Sequence, residues 1–441
     1  MLNLLKKIYD GLPKEHLKFL RYIPDRVLFG KSYWGWQQKI SFEKNNLDES
    51  LANTLLYVRQ HTMYGKEKLP TNIHAGNAKE ILETLPKISS QDLATNLAYY
   101  TSDEFNTFNS YLTTTGGSGR NPTTILLSNE LFGIEWAHVH HIWSSVGYDR
   151  RKHLKLTLRG KSVKGDKLME YNPVYNELVV DTFKVKRSNF PKLLQVLKRY
   201  DITYIHGYPS LVKEYIEYYR EFGGMPNLRG VLLASEGISP EEKHIIAEFF
   251  GCRVVSFYGQ TERALLAVDL KGAGEYRVYT SYGYPRVVDG ELLITSFVNR
   301  ALPLVNYAIG DGAVVREEKD HIYLLNLTSR WGKDFIFLDK DKKIPTAAIN
   351  LHSMIQDEIL FYQIHQYEFG EIEIRVLQKP GSRITAEELL KIFGKEMRKN
   401  LREFSVELRC VPDEEIIKSS RGKKMLLVQN LDQGILGASG H

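Results

Sequence analysis

The stretch that decides the fold is residues 230–262, GVLLASEGISPEEKHIIAEFFGCRVVSFYGQTE. Its apolar run 230–234 predicts a buried strand, and the Ser-Pro-Glu-Glu segment that begins at Ser239 predicts a helix start with a capping box. Gly251 is typical of a helix end, and residues 253–257 predict the next strand. A strand, a helix and a strand in this order indicate a parallel sheet, in which ligands bind beyond the carboxyl ends of the strands.

The preceding sequence repeats this alternation of strands and helices. Residues 190–200 and 211–222 predict helices, and the apolar run 202–205 between them predicts a strand. Further upstream, the apolar spacing predicts helices over residues 48–61 and around 90–97. The predicted fold class is therefore α/β, with a large N-terminal domain of parallel α/β layers over residues 1–328.

The pattern changes after residue 275. Residues 276–328 predict a small β subdomain of short alternating strands, and the Asp289-Gly290 pair within it predicts a tight hairpin. Residues 335–441 contain two strand patterns around a helix that starts at Thr385, which predicts a small C-terminal α+β domain. The joint between the two domains is predicted at residues 329–334.

Composition excludes several classes of protein. Hydrophobic residues make up 43% of the 441 residues, too many for a disordered chain. The two cysteines, Cys252 and Cys410, exclude a disulfide framework and a cysteine-rich zinc site, and both are predicted to be buried structural thiols. There is no uncharged apolar run long enough to span a membrane, so a reducing cytoplasm is the simplest location. The net charge of +6 is modest and indicates no nucleic-acid surface.

The strongest local signal is the loop 113–122, TTTGGSGRNP. Glycines allow a close approach of the backbone, and backbone N–H groups and hydroxyls then donate to phosphate oxygens. Arg120 adds a fixed positive charge. A flexible surface loop explains the same composition equally well.

Three weaker motifs have similar alternatives. Residues 258–262, YGQTE, place a carboxylate beside a hydroxyl at a strand end, which suits Mg²⁺ and phosphate but also an ordinary turn. Asp311 in the segment 308–312 suits ribose hydroxyls or common turn chemistry. The basic loop 419–424 is typical of a solvated surface. The histidines of segment 138–141 are interpreted as packing or surface residues, because a metal site needs its ligands on one side.

In their order along the chain, the motifs resemble the adenylate-forming superfamily of acyl-CoA ligases. Within it, they resemble the branch of phenylacetate–CoA ligase and the capsule-biosynthesis proteins called CapK. The loop 113–122 is similar to the phosphate loop of the family, although Thr123 stands where many members have lysine. The other matching segments are the CapK-like 206–210, the nucleotide loop 235–237, the motif 258–262, the Tyr-x-x-Gly-Asp motif 307–311, the hinge 329–336 and the C-terminal lysine loop 422–423.

The resemblance implies a ligase that converts ATP and a small carboxylic acid to acyl-adenylate and pyrophosphate. It implies catalytic roles for Lys423, Glu262 and Thr261, with Glu262 binding Mg²⁺, and a C-terminal domain that moves about the hinge. The acyl group would pass to CoA, or to an amine or hydroxyl on a sugar in surface-polysaccharide biosynthesis. The implied nucleotide site comprises Thr114, Thr115, Gly116, Gly117, Ser118, Gly119, Arg120, Ser235, Glu236, Gly237, Tyr258, Gly259, Gln260, Asp311 and Arg330.

A second hypothesis is a catalytically degenerate relative that binds nucleotide or sugar in polysaccharide assembly. The retained Glu262, Asp311 and Lys423 favour the ligase, because a purely structural descendant need not keep the groups that handle charge. A nucleic-acid binder is disfavoured, since the basic residues form no stripe.

Overall fold

The computed structural model describes residues 14–114, 123–328, 335–340, 342–346, 358–378, 382–417, 427–429 and 431. The chain divides into two compact units. The first comprises residues 1–113, 125–159 and 163–329, and the second comprises residues 114–124, 160–162 and 330–441. The hinge predicted at 329–334 lies outside the described residues, so the predicted domain bounds stay a prediction.

Two of the four sheets in the described part of the chain are a two-stranded sheet and a large sheet of twelve strands. The small sheet pairs β1 (Ser110–Thr114) with β2 (Thr124–Ser128). The strands of the large sheet are β3 (Leu154–Leu158), β4 (Met169–Asn172), β5 (Glu177–Val180), β6 (Ile202–Gly207), β7 (Gly230–Leu233), β8 (Arg253–Gly259), β9 (Leu266–Asp269), β10 (Tyr276–Val278), β11 (Gly283–Val288), β12 (Glu291–Ser296), β13 (Tyr307–Glu317) and β14 (Ile322–Thr328).

The order of the large sheet is β11-β12-β13-β14-β10-β9-β8-β7-β6-β3-β5-β4. Strands β5, β3, β6, β7 and β8 run parallel, as the alternation of strands and helices predicts. The antiparallel strands predicted over 276–328 also form, but they continue the same sheet through β9 instead of making a sheet of their own. The Asp289-Gly290 hairpin is confirmed, with φ of 51° and 78° at its two residues.

The first unit has helices in its N-terminal region and also between the strands of the large sheet along the chain. They are α1 (Asp25–Trp36), α2 (Leu47–His61), α3 (Met63–Lys68), α4 (Ala78–Thr84), α5 (Ser90–Thr95), α6 (Leu97–Tyr100), α7 (Leu131–Ser144), α8 (Phe190–Leu197), α9 (Pro209–Phe222) and α10 (Pro240–Phe250), with 3-10 turns at Lys14–Tyr22 and Lys44–Asn46. The helix predicted around 90–97 is divided at Asn96, which leaves the helical conformation and caps α6 through its side chain.

Helix α10 shows why the deciding stretch folds as predicted. The Ser239 side chain accepts a hydrogen bond from the Glu242 N–H, and the Glu242 side chain accepts one from the Ser239 N–H. Pro240 occupies the first turn, and Gly251 ends the helix in the left-handed conformation at φ 61°. These local signals fix both ends of the crossover and therefore the spacing between β7 and β8.

Of the histidines of α7, His138 and His140 pack inside the fold and His141 is exposed, so the segment has both of the roles that the sequence left open. The His138 Nδ1 atom lies 2.8 Å from the Ile134 carbonyl oxygen, and the His140 Nδ1 atom lies 2.8 Å from the Tyr33 hydroxyl. Burial lowers the pKa of His138 to about 4 and the pKa of His140 to about 3, so both rings are neutral near pH 7.

The second unit contains a two-stranded and a four-stranded sheet in its described residues. Its elements are β15 (Phe335–Phe337), β16 (Lys343–Pro345), β17 (Ile359–Glu368), β18 (Glu371–Gln378), α11 (Ala386–Asn400), β19 (Ser405–Cys410), a 3-10 turn at Asp413–Glu415 and β20 (Leu427–Gln429). The larger sheet has the order β19-β18-β17-β20, and Thr385 caps α11 as predicted. This unit has the α+β character that the sequence predicts.

Two smaller findings bear on the sequence predictions. Both cysteines are half-buried instead of fully buried, and burial raises the pKa of Cys252 to about 11. Across the residues that the structure describes, no helix is long and apolar enough to cross a membrane.

Candidate functional site at the strand ends

Two of the predicted nucleotide segments leave the same edge of the large sheet. Strands β7 and β8 pair in parallel, with Leu233 opposite Ser256. The segment 235–237 follows the carboxyl end of β7, and residues 260–262 follow the carboxyl end of β8. Parallel strands place these two loops side by side at the edge where ligands of such sheets bind.

The loop after β7 presents its groups to solvent. Ser235 adopts a left-handed conformation with φ 72°, which is uncommon for a residue other than glycine. Its side chain and Gly237 are exposed, and Glu236 is half-buried. Such a conformation at the end of a buried strand is often found at binding sites, because the surrounding structure must offset its strain.

A hydrogen bond joins the next predicted site residue to a distant strand. The Tyr258 hydroxyl donates to Asp311 Oδ2 at 2.7 Å, and the two side chains are 8% and 9% exposed. Burial raises the pKa of Tyr258 well above its usual range, and the nearby Asp311 carboxylate raises it further. Tyr258 is therefore a neutral donor that fixes the position of the Asp311 carboxylate.

A bulge in β13 places Asp311 for this contact. The pairing with β12 shifts from Leu293 opposite Ala308 to Glu291 opposite Gly312, so β13 has additional residues between the two pairs. Gly310 lies in this bulge with φ 82°, a conformation that favours glycine. Bulges commonly redirect a side chain at the edge of a site.

The contact also requires the sheet to curl. Strands β8 and β13 are separated by β9, β10 and β14 in the sheet order. Four spacings of about 4.8 Å would separate them by roughly 19 Å in a flat sheet. The Tyr258–Asp311 hydrogen bond therefore shows that the antiparallel end of the sheet bends back toward the parallel end.

The carboxylate of Glu262 is held in a similar way. Glu262 is 5% exposed, and the Tyr307 hydroxyl donates to its Oε1 atom at 3.3 Å. Thr261, immediately before it, is half-buried. Tyr307 is the first residue of the predicted Tyr-x-x-Gly-Asp motif, to which the sequence alone assigned no contact. The two ends of that motif thus contact the two ends of the 258–262 motif.

The loop after β8 is anchored on the antiparallel strands. The Gln260 Oε1 atom accepts a hydrogen bond from the Leu265 N–H at 3.2 Å, which closes a turn. The backbone of Ala264 lies so close to Gly283 that a Cβ atom at Gly283 would be 2.1 Å from the Ala264 oxygen. The Ser296 hydroxyl donates to the Arg263 carbonyl oxygen at 3.3 Å. Contacts with Gly283 of β11 and Ser296 of β12 therefore fix the loop that carries Glu262.

Arg263 directly follows the 258–262 motif. It is half-buried and has a left-handed backbone at φ 50°, and its Nη1 atom is inaccessible to solvent and has no hydrogen-bond partner among the described residues. Burial is the largest single effect and opposes its charge, but Glu135, Tyr282 and Tyr111 together raise the pKa of Arg263. The only sequence signal was a cation directly after the predicted magnesium ligand.

Several predicted site residues lie outside the described part of the chain. These are Lys423 and Arg330, and within the phosphate loop Thr115, Gly116, Gly117, Ser118, Gly119 and Arg120. Thr114 is described and is the half-buried last residue of β1. The structure therefore brings together Tyr258, Asp311 and Glu262, and it leaves the phosphate loop and the lysine loop as predictions.

The donor set fits a magnesium ion better than a metal enclosed by protein ligands. In the described residues, no group of three or more His, Cys, Asp or Glu side chains could hold a metal ion. Mg²⁺ commonly takes one or two carboxylates and completes its shell with substrate phosphates and water. The buried carboxylate of Glu262, at the edge where ligands of parallel sheets bind, fits that pattern.

Parts of this chain are similar in sequence to known proteins. Residues 176–295 match the profile of a family described as AMP-binding enzyme. Over 153 residues, the chain is 27% identical to indoleacetate–lysine synthetase of Pseudomonas savastanoi, a match that covers 34% of this chain and 38% of that protein. The alignment thus spans well under half of the curated relative.

A solved structure is similar over most of the length. It is 2-hydroxyisobutyryl-CoA ligase in complex with 2-HIB-AMP and CoA in the thioesterification state. The TM-score is 0.52 at 14% sequence identity, and the similarity covers 88% of this chain and 90% of that chain. At this identity the similarity establishes the fold, and it agrees with the fold that the motif order implies.

Proposed function

We propose that this chain, placed in the adenylate-forming superfamily by its AMP-binding match, its synthetase relative and its fold, activates a carboxylic acid as an acyl-adenylate. The observation that carries the proposal is the pair of buried carboxylates at the carboxyl edge of the parallel strands. Asp311 and Glu262 each accept a hydrogen bond from a tyrosine hydroxyl there. Buried carboxylates fixed by neutral donors are suited to bind hydroxyl groups and cations.

In this proposal Asp311 accepts hydrogen bonds from the ribose hydroxyls of ATP. Tyr258 holds the carboxylate in place, and segment 235–237 frames the adenine together with residues 258–260. The loop 114–120 binds the β and γ phosphates through backbone N–H groups, hydroxyls and Arg120. Arg330 contributes to the ribose side.

Glu262 would hold Mg²⁺, which supplies charge neutralisation at the phosphates when it is bound. Thr261 donates its hydroxyl to a phosphate oxygen. The first step joins a carboxylate oxygen of the acid to the α-phosphorus, and the bond to pyrophosphate breaks. Negative charge grows on the α-phosphate in this step, and Lys423 would bridge that phosphate and the acid.

In the second step an acceptor attacks the acyl carbon and AMP leaves. The acceptor is proposed to be CoA, or an amine or hydroxyl that includes sugar groups of surface polysaccharides. The curated relative is named for indoleacetate and lysine, which supports an amine, and the solved ligase contains CoA, which supports a thiol. The C-terminal unit would supply Lys423 for the first step and move about residues 329–334 for the second.

The test is acid-dependent release of AMP and pyrophosphate from ATP and Mg²⁺. The assay uses a panel of aryl, fatty, hydroxy and amino acids, with hydroxylamine as a general trap for the activated acyl group. We expect AMP with one acid class, loss of that activity in Lys423→Ala, and retained ATP binding in the same variant. ADP formation would contradict the mechanism, and ATP binding without turnover of any acid would favour the degenerate relative.

A second round separates the acceptors. The active acid is incubated with CoA, lysine and an amino sugar, and the acyl products are identified by mass spectrometry. Thioester formation would assign the CoA branch, and amide formation would assign the amine branch.

A further inference from the structure

We propose that the chain has a second ligand site, for a small molecule with a carboxylate or phosphate group, in a cavity of about 230 Å³. The cavity lies between the end of α1, the outer face of α2 and the segment after β12. Its volume is below the roughly 300–1,000 Å³ of pockets for drug-sized ligands, so the ligand is small. This proposal is independent of the adenylation chemistry.

The charges of the cavity point to an anion. Lys39 and Arg300 line it, and no aspartate or glutamate of the described chain does. Each cation lies over an aromatic ring of the same cavity: the Lys39 Nζ atom is 5.8 Å from the centre of the Trp36 ring, and the Arg300 Cζ atom is 4.8 Å from that of Tyr57. Aromatic faces position a cation without neutralising it.

Within the described ranges, neither Lys39 nor Arg300 forms an ion pair with a carboxylate. Tyr57 of the cavity wall donates its hydroxyl to Glu104 at 2.8 Å, and Glu104 is not a lining residue. The mouth of the cavity is therefore positive and the ring faces beside it are apolar.

The floor of the cavity is fixed by hydrogen bonds. Asn299 and Ser296 are each 1% exposed, and the Asn299 N–H donates to the Ser296 hydroxyl oxygen at 3.1 Å. The Asn299 side chain donates to the Leu126 carbonyl oxygen at 3.0 Å. A floor held in this way keeps its shape when no ligand is present, which reduces the entropic cost of binding.

The same floor separates the cavity from the proposed nucleotide site. Ser296 contacts the Arg263 carbonyl oxygen on the loop that carries Glu262. Glu262, Tyr258 and Asp311 do not line the cavity. The cavity is therefore a different site that lies behind the same loop.

The test measures binding of 4-bromobenzoate and phenyl phosphate by titration calorimetry, with 4-bromobenzamide as an uncharged control. We expect the anions to bind and the amide to bind more weakly. The double variant Lys39→Gln with Arg300→Gln should lose about tenfold or more in affinity, because charge-assisted hydrogen bonds are lost. Lys319→Gln, which removes an exposed lysine elsewhere, should bind as the unchanged protein does.

The position is tested by the anomalous signal of bromine in crystals soaked with 4-bromobenzoate. A bromine between Trp36 and Arg300 supports the proposal, and bromine found only at the strand ends 235–237 and 258–262 overturns it. Equal affinity in the double variant, or no heat with either anion, also overturns it. Asn53→Trp fills the exposed mouth of the cavity without a change of charge and should block binding. This variant tests the proposal even if the double variant folds poorly. The stronger of the two anions tells a carboxylate ligand from a phosphate ligand.

Discussion

The described part of the chain buries five carboxylates, and they fall into two groups by the partner that holds them. In the first group a lysine ammonium contacts the carboxylate. The Asp181–Lys184 and Glu177–Lys155 distances are 3.0 and 3.3 Å, and Lys243 contacts Asp269 directly. Backbone N–H groups add to this group, as in the turn after β9, where Gly272 and Gly274 both donate to Asp269.

In the second group a tyrosine hydroxyl contacts the carboxylate. Tyr258 donates to Asp311, and Tyr307 donates to Glu262. Both carboxylates lie within the motifs that the sequence assigns to nucleotide binding. Their exposed fractions, 9% and 5%, overlap the range of 0–7% in the first group, so burial alone does not separate the two groups.

The difference is one of charge. An ammonium partner neutralises the carboxylate inside the fold, and the resulting pair serves the structure. A phenol hydroxyl fixes the position of a carboxylate and brings no charge of its own, and we propose that Asp311 and Glu262 act on a ligand at the strand ends. We therefore expect substitutions to separate a structural role of the lysine-held carboxylates from a ligand-binding role of the tyrosine-held ones.

The largest effect is expected from breaking a lysine-held pair. Lys243→Met leaves the fully buried Asp269 without its counterion, and we expect the free energy of unfolding to fall by about 4 kcal/mol. Urea denaturation followed by circular dichroism measures this change. Lys271→Met, an exposed lysine in the same turn, is the matched control and should change stability by less than about 0.5 kcal/mol. If Lys243→Met lowers the free energy of unfolding by less than about 1 kcal/mol, the lysine-held carboxylates would not differ from the tyrosine-held ones in their contribution to stability.

The next effect concerns activity and should leave stability nearly unchanged. Glu262→Gln removes the charge proposed to hold Mg²⁺, and we expect AMP formation to fall about 100-fold, or about 2.7 kcal/mol of barrier. The free energy of unfolding should change by less than about 1 kcal/mol, because a glutamine can still accept the hydrogen bond from Tyr307. Glu248→Gln, which alters an exposed glutamate of α10, is the control for the assay. If Glu262→Gln instead lowers the free energy of unfolding as much as we expect for Lys243→Met, and AMP formation is retained, Glu262 would belong to the structural group.

The sequence predicted the parts of the site that local signals control. The capping box at Ser239 and the left-handed Gly251 fixed α10, and with it the two strand ends of residues 235–237 and 258–262. The helix and strand predictions are confirmed because each rests on residues that are neighbours along the chain. The roles that the resemblance implies for Glu262 and Asp311 stay predictions.

The remaining features depend on distant pairings and could not be predicted. The antiparallel strands join the parallel sheet through β9 and β10. Local sequence patterns do not predict which strands pair with each other. The contact of Tyr258 with Asp311 needs both this sheet order and the bulge at Gly310. The position of Arg263 depends on Ser296, which is distant in the sequence. The phosphate loop and the lysine loop stay predictions.

A smaller effect should come from the tyrosine that holds Asp311. Tyr258→Phe removes a buried hydrogen bond of 2.7 Å to a charged group, and we expect the KM for ATP to rise about tenfold. The expected change is mainly in KM because ribose binding precedes the reaction. Tyr284→Phe removes a comparable bond to Glu317 away from the strand ends and should leave the KM unchanged. A similar KM for both variants would show that the hydroxyl of Tyr258 has no part in nucleotide binding.

The smallest effect is expected at Tyr307, and it should differ in kind. Its hydrogen bond to Glu262 is 3.3 Å long, beyond the usual range for O–H···O contacts, so it restrains the carboxylate weakly. We expect Tyr307→Phe to lower kcat about threefold at saturating ATP and to raise the Mg²⁺ concentration that gives half-maximal activity. Steady-state kinetics over a range of Mg²⁺ measures both quantities. If Tyr307→Phe raises the KM for ATP and leaves the Mg²⁺ requirement unchanged, both tyrosines would have the same role in ATP binding. A change confined to kcat and Mg²⁺ would show instead that each hydroxyl serves its own carboxylate.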